Sequence, residues 1–258
     1  MIEAAVNALV DVELGFALWF AAGAALVAGL ARGFSGFGAG LIFMPLAAAT
    51  LGPQAAAPIL LLIDTVLIAP YVPAAWRACD RRAVGWMTLG AYAGVPLGAA
   101  ALTAVDPLLM RWLLVALILA LLALLVSGFR YRGRPKPPLT LGVGAVSGVL
   151  SGAAQVGGPP AIAYWLGSEA PAKTVRANLV VFIVLAALGT AVAYVLGGLL
   201  TASVVARAVV IGPFYAAGLF LGARLFGLAS ETVFRRICYG LIALAAVGSA
   251  PALDGLLR

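Results

Sequence analysis

Residues 29–40 read GLARGFSGFGAG, and residues 148–160 read GVLSGAAQVGGPP. Each stretch is rich in glycine and interrupts a run of apolar residues that otherwise reads as a membrane helix. An interrupted apolar segment at matching positions in two halves of a chain is typical of the substrate site of a secondary transporter. The two stretches therefore predict a carrier that contains, in each half, a broken helix or a re-entrant hairpin.

The composition of the chain indicates that its solvent is lipid. Of the 258 residues, 64% are hydrophobic and only 10% are charged, which is more apolar surface than a soluble domain of this size could bury. The apolar runs are about 20 residues long, which suits a hydrocarbon core of roughly 30 Å crossed at about 1.5 Å per residue. We expect an all-α polytopic membrane protein with about 8 to 10 transmembrane segments.

The apolar segments form two series that match each other. The first series covers, approximately, residues 14–31, 38–51, 55–75, 84–104 and 108–127. The second series covers, approximately, residues 139–152, 159–167, 174–198, 205–226 and 233–252. We expect a first membrane repeat at 1–127, a basic linker at 128–138 and a second, homologous repeat at 139–258.

Glycine pairs recur at matching places in the two repeats. Gly94 and Gly98 in the first repeat correspond to Gly218 and Gly222 in the second. Glycines four residues apart on an apolar helix let a second helix approach closely. We expect these later pairs to serve helix packing.

Basic residues set the expected orientation, because Lys and Arg in short loops stay on the cytoplasmic side. One basic loop holds Arg77, Arg81 and Arg82, and the linker 128–138 is a second. If each repeat crosses the membrane an odd number of times, the basic residues of the second repeat join them: Lys173, Arg176, Arg224, Arg235 and Arg236. We therefore expect inverted repeats, with the linker cytoplasmic and the N-terminus periplasmic.

The chain lacks the residues that several classes of soluble protein need for their function. The chain has no histidine and two scattered cysteines, Cys79 and Cys238, so neither a metal site nor a disulfide framework is expected. A nucleophile elbow, a phosphate-binding loop and paired catalytic carboxylates are missing, so we expect neither an enzyme nor a cofactor. The net charge of +7 lies in short loops, so we expect no nucleic-acid partner. A small anion and membrane lipid are the expected partners, and a homo-oligomer is left open.

A helix that begins inside the membrane favours an anionic ligand. Its first amides have no partner within the helix and lie at the positive end of the helix dipole. Glycine allows the turn and lets an oxyanion reach the amides without a Cβ atom in the way. The candidate ligands are the amides of Gly38, Ala39 and Gly40 and those around Gly157 and Gly158. The alternative is that these glycines serve only close packing.

Four polar side chains near the two stretches are further candidates for anion binding. Gln155 either donates its amide to an oxyanion or ties its loop to a neighbouring carbonyl. Ser35 and Ser151 either donate hydroxyls to the anion or bond back to their own helices. Arg32 either contacts the anion or extends to the membrane interface, because a charge exposed to lipid costs several kcal/mol.

Three more residues are candidates farther along the chain. Asp64 is the only acid well inside an apolar segment, and it either carries a coupled proton or pairs with Arg32 or Arg176. Arg176 and Asn178 open the helix after the second stretch. They either line the inner mouth of the site or serve as a topology charge and an ordinary polar residue at a helix start.

Three motifs together match a known pattern: Gly-Phe-Gly-Ala-Gly-x-x-x-x-Pro at 36–45, Ser-Gly-x-x-x-x-Gly-Gly-Pro-Pro at 151–160, and the Arg-Ala-Asn step at 176–178. They resemble the TauE/SafE family of sulfite and organosulfonate exporters, over nearly the whole chain. The resemblance implies a carrier for small anions in the inner membrane of a bacterium. Gln155 and Pro159 stand where the family's second motif usually has glycine. Arg32 stands where the second repeat has serine, and these departures bear on the substrate.

We therefore expect a secondary transporter that exports sulfite or a short organosulfonate by alternating access, with proton coupling as a hypothesis. An anion channel of the same architecture would share the amide ligands, but its flux would follow voltage instead of saturating. A membrane scaffold protein that transports nothing would use the same glycines only for packing.

Overall fold

The structure is a computed structural model in which residues 15–36, 38–129, 131, 133, 136–168, 170–225 and 231–253 are described, without the side chains of residues 231–235. Two groups of predictions lie outside these residues, namely the periplasmic N-terminus and the linker charges Arg130, Arg132 and Arg134. The described residues form helices and turns and contain no strand. The prediction of an all-α protein is therefore confirmed.

Eleven α-helices follow one another along the described chain. They are α1 (Phe16–Ser35), α2 (Ala39–Leu51), α3 (Pro53–Ile68), α4 (Val72–Ala78), α5 (Arg81–Ala104), α6 (Pro107–Val126), α7 (Pro137–Ala154), α8 (Gly158–Trp165), α9 (Ala172–Leu196), α10 (Ala202–Leu225) and α11 (Glu231–Gly248). Short 3-10 turns lie at Ala69–Tyr71 and Pro251–Leu253.

Within the described residues, seven helical stretches are long and apolar enough to cross a membrane. They are α1, the stretch Pro53–Ala78, α5, α6, α7, α9 and α10. The second helix of each interrupted segment is too short to do so alone, since α2 has 13 residues and α8 has 8. The chain is a multi-pass membrane protein, and the expected 8 to 10 segments compare with seven full-length candidates.

Both interruptions are shorter than the sequence predicts. Helix α1 does not end near residue 31 but continues to Ser35, and α7 continues past residue 152 to Ala154. The reason in the first case is that Gly29 and Gly33 lie inside α1, where the missing Cβ atoms allow a close helix contact instead of a turn.

The chain divides into two compact units that each combine segments from both halves of the sequence. The first unit consists of Met1–Ile63, Val105–Ala123 and Gly198–Arg258, and the second consists of Asp64–Ala104 and Leu124–Gly197. A compact unit reflects packing, whereas a repeat reflects similarity along the chain. The repeats at 1–127 and 139–258 and the linker at 128–138 therefore remain a prediction.

In the first unit, α1 packs closely on α10, and α2 packs on α1 and α11. A Cβ atom on Gly29 or Gly33 would overlap the backbone of α10, and one on Gly218 or Gly222 would overlap the backbone of α1. Glycines on both helices thus bring the two backbones into contact, which is the geometry of small-residue crossings in membranes.

In the second unit, the closest helix pair is α5 and α7. A Cβ atom on Gly94 or Gly98 would overlap the backbone of α7, and one on Gly144 or Gly148 would overlap the backbone of α5. Helix α9 packs on α4 and α5, and α8 contacts α7 and α9. The packing role expected for Gly94, Gly98 and their counterparts in α10 is confirmed.

One residue of the linker holds the end of α8 in the second unit. The backbone N–H of Tyr131 donates to the carbonyl of Ala163 at 3.1 Å, and its ring stacks on that of Tyr164 with the centroids 5.2 Å apart. The hydroxyl of Tyr164 lies 2.6 Å from Oγ1 of Thr140 on α7. The short helix α8 is thus fixed at its C-terminal end by contacts with the linker and with α7.

Candidate functional site

The second interruption begins where α7 ends in a left-handed residue. Gln155 has φ 55° and ψ 28°, and it is the only residue other than glycine with positive φ in the described part of the chain. The N–H of Gln155 donates to the carbonyl of Ser151 at 3.0 Å, and the N–H of Val156 donates to the carbonyl of Leu150 at 3.3 Å. These bonds close the last turn of α7, so the amide of Val156 is occupied by the helix end.

A buried tyrosine of α9 is hydrogen-bonded to this turn. The hydroxyl of Tyr194 donates to the carbonyl of Gly152 at 2.7 Å. Nε2 of Gln155 lies 3.4 Å from the same hydroxyl and donates to the carbonyl of Ser151 at 3.1 Å. Of the two roles expected for Gln155, the structure therefore shows the bond from its side-chain amide to a neighbouring carbonyl.

The start of α8 presents two backbone donors. The N–H groups of Gly157 and Gly158 donate to no described residue, and the next two residues are Pro159 and Pro160, which have no N–H. Proline at the first positions of a helix removes donors that the helix itself could not use. The donors at this helix start are thus concentrated at the two glycines.

Gly157 lies where no larger residue fits. A Cβ atom there would overlap the hydroxyl oxygen of Ser151 and the backbone carbonyl of Ser147, both on α7. The hydroxyl of Ser151 bonds to no described residue, and the hydroxyl of the fully buried Ser147 has no partner in the described chain. The hydroxyl of Ser151 therefore lies next to Gly157, and the hydroxyl of Ser147 belongs to the preceding turn of the same helix face.

The first interruption contains a buried cation. Arg32 is buried, and its Nη1 donates to the carbonyl of Gly36 at 3.0 Å. The N–H of Gly36, which has φ 77°, donates in turn to the carbonyl of Arg32 at 2.8 Å. The guanidinium thus lies at the carbonyl end of α1, where a positive charge is favourable.

Helix α2 begins three residues after this cap. Gly38 has φ 95°, and its carbonyl accepts the N–H of Ile42 at 3.3 Å. The amides of Ala39 and Gly40 belong to the first turn, where no acceptor exists within the helix. Ser35 donates its hydroxyl to the carbonyl of Ala31 at 2.6 Å, so this hydroxyl bonds back to its own helix.

Two candidates lie far from the second interruption. Oδ1 of the buried Asn178 accepts the backbone N–H of Asp80 at 2.7 Å. The carboxylate of Asp80 accepts the N–H groups of Arg82 and Ala83 and caps the start of α5. Asn178 and Tyr194 are 16 positions apart on α9, which at about 1.5 Å per residue is ~24 Å. Asn178 and its exposed neighbour Arg176 therefore lie at the opposite end of α9 from Tyr194, which contacts Gln155.

The third of these candidates, Asp64, lies in α3 and is partly buried.

Sequence reasoning missed Ser147 and Tyr194. Ser147 precedes Ser151 by one helical turn, so a search for hydroxyls at a spacing of four residues would have found it. Tyr194 lies within an apolar segment, where a hydroxyl needs a partner. Its partner, the carbonyl of Gly152, is visible only once α9 is packed on α7.

One family of known proteins is similar to this chain along most of its length. The sequence model of the family described as sulfite exporter TauE/SafE matches residues 21–249. Neither a curated protein nor a solved structure matches the sequence significantly. The matched range contains both interruptions and every helix from α2 to α11.

Proposed function

The chain belongs to the TauE/SafE family of sulfite exporters, and we propose that it is a secondary transporter that exports sulfite or a short organosulfonate. In this proposal the anion leaves the bacterial cytoplasm across the inner membrane by alternating access. The linker 128–138 faces the cytoplasm, and the N-terminus faces the periplasm.

One observation carries the proposal, which is the position of the buried Arg32 at the turn from which α2 begins. The guanidinium is held at the carbonyl of Gly36, and the first-turn amides of α2 follow directly. A helix N-terminus is an anion-binding element, and a buried guanidinium adds positive charge beside it. The proposed anion ligands of the first interruption are Arg32, Gly38, Ala39 and Gly40, and Ser35 would join them by giving up its bond to the carbonyl of Ala31.

The second interruption offers only neutral donors. Its proposed ligands are the amides of Gly157 and Gly158 and the hydroxyl of Ser151, and the side-chain amide of Gln155 would join them by giving up its contact with Ser151 or Tyr194. The absence of bonds from the two glycine amides to described residues supports this assignment. Neutral backbone donors at a helix start bind anions in many proteins.

We assign Arg176 and Asn178 to the mouth of the pathway instead of the interruption. Arg176 is exposed at the start of α9, and an exposed cation near an entrance raises the local concentration of anions. Asn178 holds the neighbouring turn through its bond to Asp80. Asp64 is the proposed site of proton coupling, since a carboxyl group within an apolar segment is by default a functional group.

The proposed architecture is a pair of inverted repeats, each with a re-entrant broken segment. Equivalent helix pairs support it: α1 crosses α10 in the first unit, and α7 crosses α5 in the second. In each unit the first helix of an interrupted segment packs through glycines on a helix from the other half of the sequence.

Ligand-dependent stability tests the proposal. The detergent-purified full-length protein is heated with sulfite, sulfoacetate, taurine, sulfate, acetate or chloride, and the unfolding temperature is compared. A ligand at 100 times its Kd stabilises the folded state by about 2.7 kcal/mol. We expect a selective increase with sulfite or an organosulfonate.

Two matched arginine variants complete this experiment. Arg32→Gln is expected to lose the increase, whereas Arg77→Gln keeps it, because Arg77 is exposed at the end of α4. An equal response to all six salts, or an equal response of the two variants, would contradict the proposed anion site.

Transport in proteoliposomes then separates carrier from channel: a carrier shows saturation and exchange, and a channel shows a flux that follows voltage. A protein that binds and transports none of the six anions would instead fit a scaffold.

A further inference from the structure

Ser147 is a fully buried serine in the middle of α7 whose hydroxyl has no hydrogen-bond partner in the described chain. A hydroxyl inside a helix commonly donates to the carbonyl four residues earlier. Thr140 does so to Lys136 at 2.9 Å, and Thr190 does so to Ala186 at 3.0 Å. Ser147 does not, although a buried donor without an acceptor is destabilising. This hydroxyl therefore has an unused donor inside the protein.

The position of Ser147 relates this donor to the second interruption. Residues four apart lie one above the other on a helix surface, so Ser147 and Ser151 share one face of α7. That face meets the start of α8, because a Cβ atom on Gly157 would overlap both the carbonyl of Ser147 and the hydroxyl of Ser151. Farther along the same helix pair, Thr140 meets Tyr164, so the contact between α7 and α8 follows this face.

We propose that the hydroxyl of Ser147 is an additional anion ligand at the second interruption and makes this site selective for oxyanions. This inference rests on the proposed function. The amides of Gly157 and Gly158 bind one oxygen of the ligand, and the hydroxyls of Ser147 and Ser151 bind others. A sulfite or sulfonate group offers several separate oxygens to these donors, whereas a halide offers a single centre. The buried hydroxyl is satisfied only when the oxyanion is bound.

The test compares two buried hydroxyls that lack partners. Ser147→Ala removes the proposed ligand, and Thr88→Val removes the hydroxyl of Thr88, which is also buried and without a partner but lies on α5. The Kd for sodium sulfite is measured on the full-length protein in detergent, with sodium chloride as the comparison ligand. Unfolding temperatures of the ligand-free proteins are recorded in parallel.

We expect Ser147→Ala to weaken sulfite binding by about 10- to 100-fold, the usual effect of losing one hydrogen bond to a charged group. The effect on chloride is smaller, and Thr88→Val leaves the Kd for sulfite within about twofold. Neither variant lowers the ligand-free unfolding temperature, since each removes an unsatisfied buried group. Ser147→Cys, which nearly conserves volume and replaces a strong donor with a weak one, shows the same loss.

Other results overturn the inference in distinguishable ways. Equal sulfite affinity in wild type and Ser147→Ala overturns the role of Ser147 and leaves the proposed transporter intact. Equal weakening by Ser147→Ala and Thr88→Val indicates a general loss of packing and also overturns it. A wild-type protein that binds neither sulfite nor an organosulfonate removes the proposed function, and the inference falls with it.

Discussion

The hydroxyl of Tyr194 donates a hydrogen bond of 2.7 Å to the backbone carbonyl of Gly152. Gly152 is in the last turn of α7, where carbonyl groups have no partner within the helix. The same hydroxyl lies within hydrogen-bond distance of the Gln155 amide. One side chain of α9 thus satisfies the end of α7 and fastens the residue at which the chain turns.

Replacing Tyr194 by phenylalanine is expected to destabilise the protein by about 1–3 kcal/mol, because the carbonyl of Gly152 would be left buried and unsatisfied. The measurement is thermal unfolding in detergent. Tyr92→Phe is the matched control, since the Tyr92 hydroxyl donates to the carbonyl of Leu185 at 3.1 Å. Leu185 is in the interior of α9, so its carbonyl keeps a helical partner. Equal unfolding temperatures of the two variants would show that the hydrogen bond to Gly152 contributes no more to stability than the bond to Leu185.

Two substitutions of Gln155 separate backbone strain from side-chain bonding. Alanine and glycine both remove the side-chain amide, but only glycine adopts φ 55° without a steric cost. We expect Gln155→Gly to be more stable than Gln155→Ala by about 1 kcal/mol. Thermal unfolding of both variants provides the comparison. In a regular helix alanine would be the better residue by a similar amount, so the reverse order would refute the left-handed conformation.

Gly94→Ala is expected to destabilise the second unit by about 1–3 kcal/mol, because the added methyl group meets the rigid backbone of α7. Gly142→Ala is the control. No heavy atom lies within 4 Å of a Cβ atom at Gly142, and alanine is the better helix former by about 1 kcal/mol. The two variants should therefore shift the unfolding temperature in opposite directions. A shift in the same direction would mean that α5 and α7 are not in close contact.

Asp64→Asn tests proton coupling. The amide is close in shape to the carboxyl group but cannot release or take up a proton. We expect transport of sulfite in proteoliposomes to lose its dependence on a pH gradient, while exchange of sulfite against sulfite continues. Asp106→Asn, at the start of α6, serves as the control, because its carboxylate accepts the N–H groups of Leu108 and Leu109 and caps the helix. Full dependence on the gradient in Asp64→Asn would exclude Asp64 as the coupling group.

The sequence predicts the helical segments well because their apolar length is fixed by the membrane. It predicts the ends of the interruptions less well, and Gly29 and Gly36 show why. Both are glycines of the first motif, yet Gly29 packs on α10 inside a helix and Gly36 turns the chain with φ 77°. A missing Cβ atom serves either purpose. What decides between them is the backbone of α10, more than 180 residues away in sequence.

The residues of the candidate site also fall into two groups, those that local sequence predicts and those that depend on the packed structure. The sequence predicts Gly157 and Arg32 as candidates, because a helix start and an intramembrane charge are local features. The sequence predicts Asn178 at the mouth because it follows the second motif, but its distance from Gln155 depends on the 25-residue length and direction of α9. Ser147 is distinguished from other serines by a buried hydroxyl without a partner in the described chain. The four-residue spacing of Ser147 and Ser151 is visible in the sequence, whereas the missing partner is a property of the packed structure.

Pro159 and Pro160 at the start of α8 restrict how the second interruption can move. Neither residue can supply the N–H that a continuous helix needs, and each ring would collide with the preceding turn. A continuous helix through α7 and α8 would therefore lack two backbone hydrogen bonds and would be kinked at this point. In the proposed transport cycle we therefore expect α8 to move by rotation about residues 155–157, with the interruption between the two helices kept.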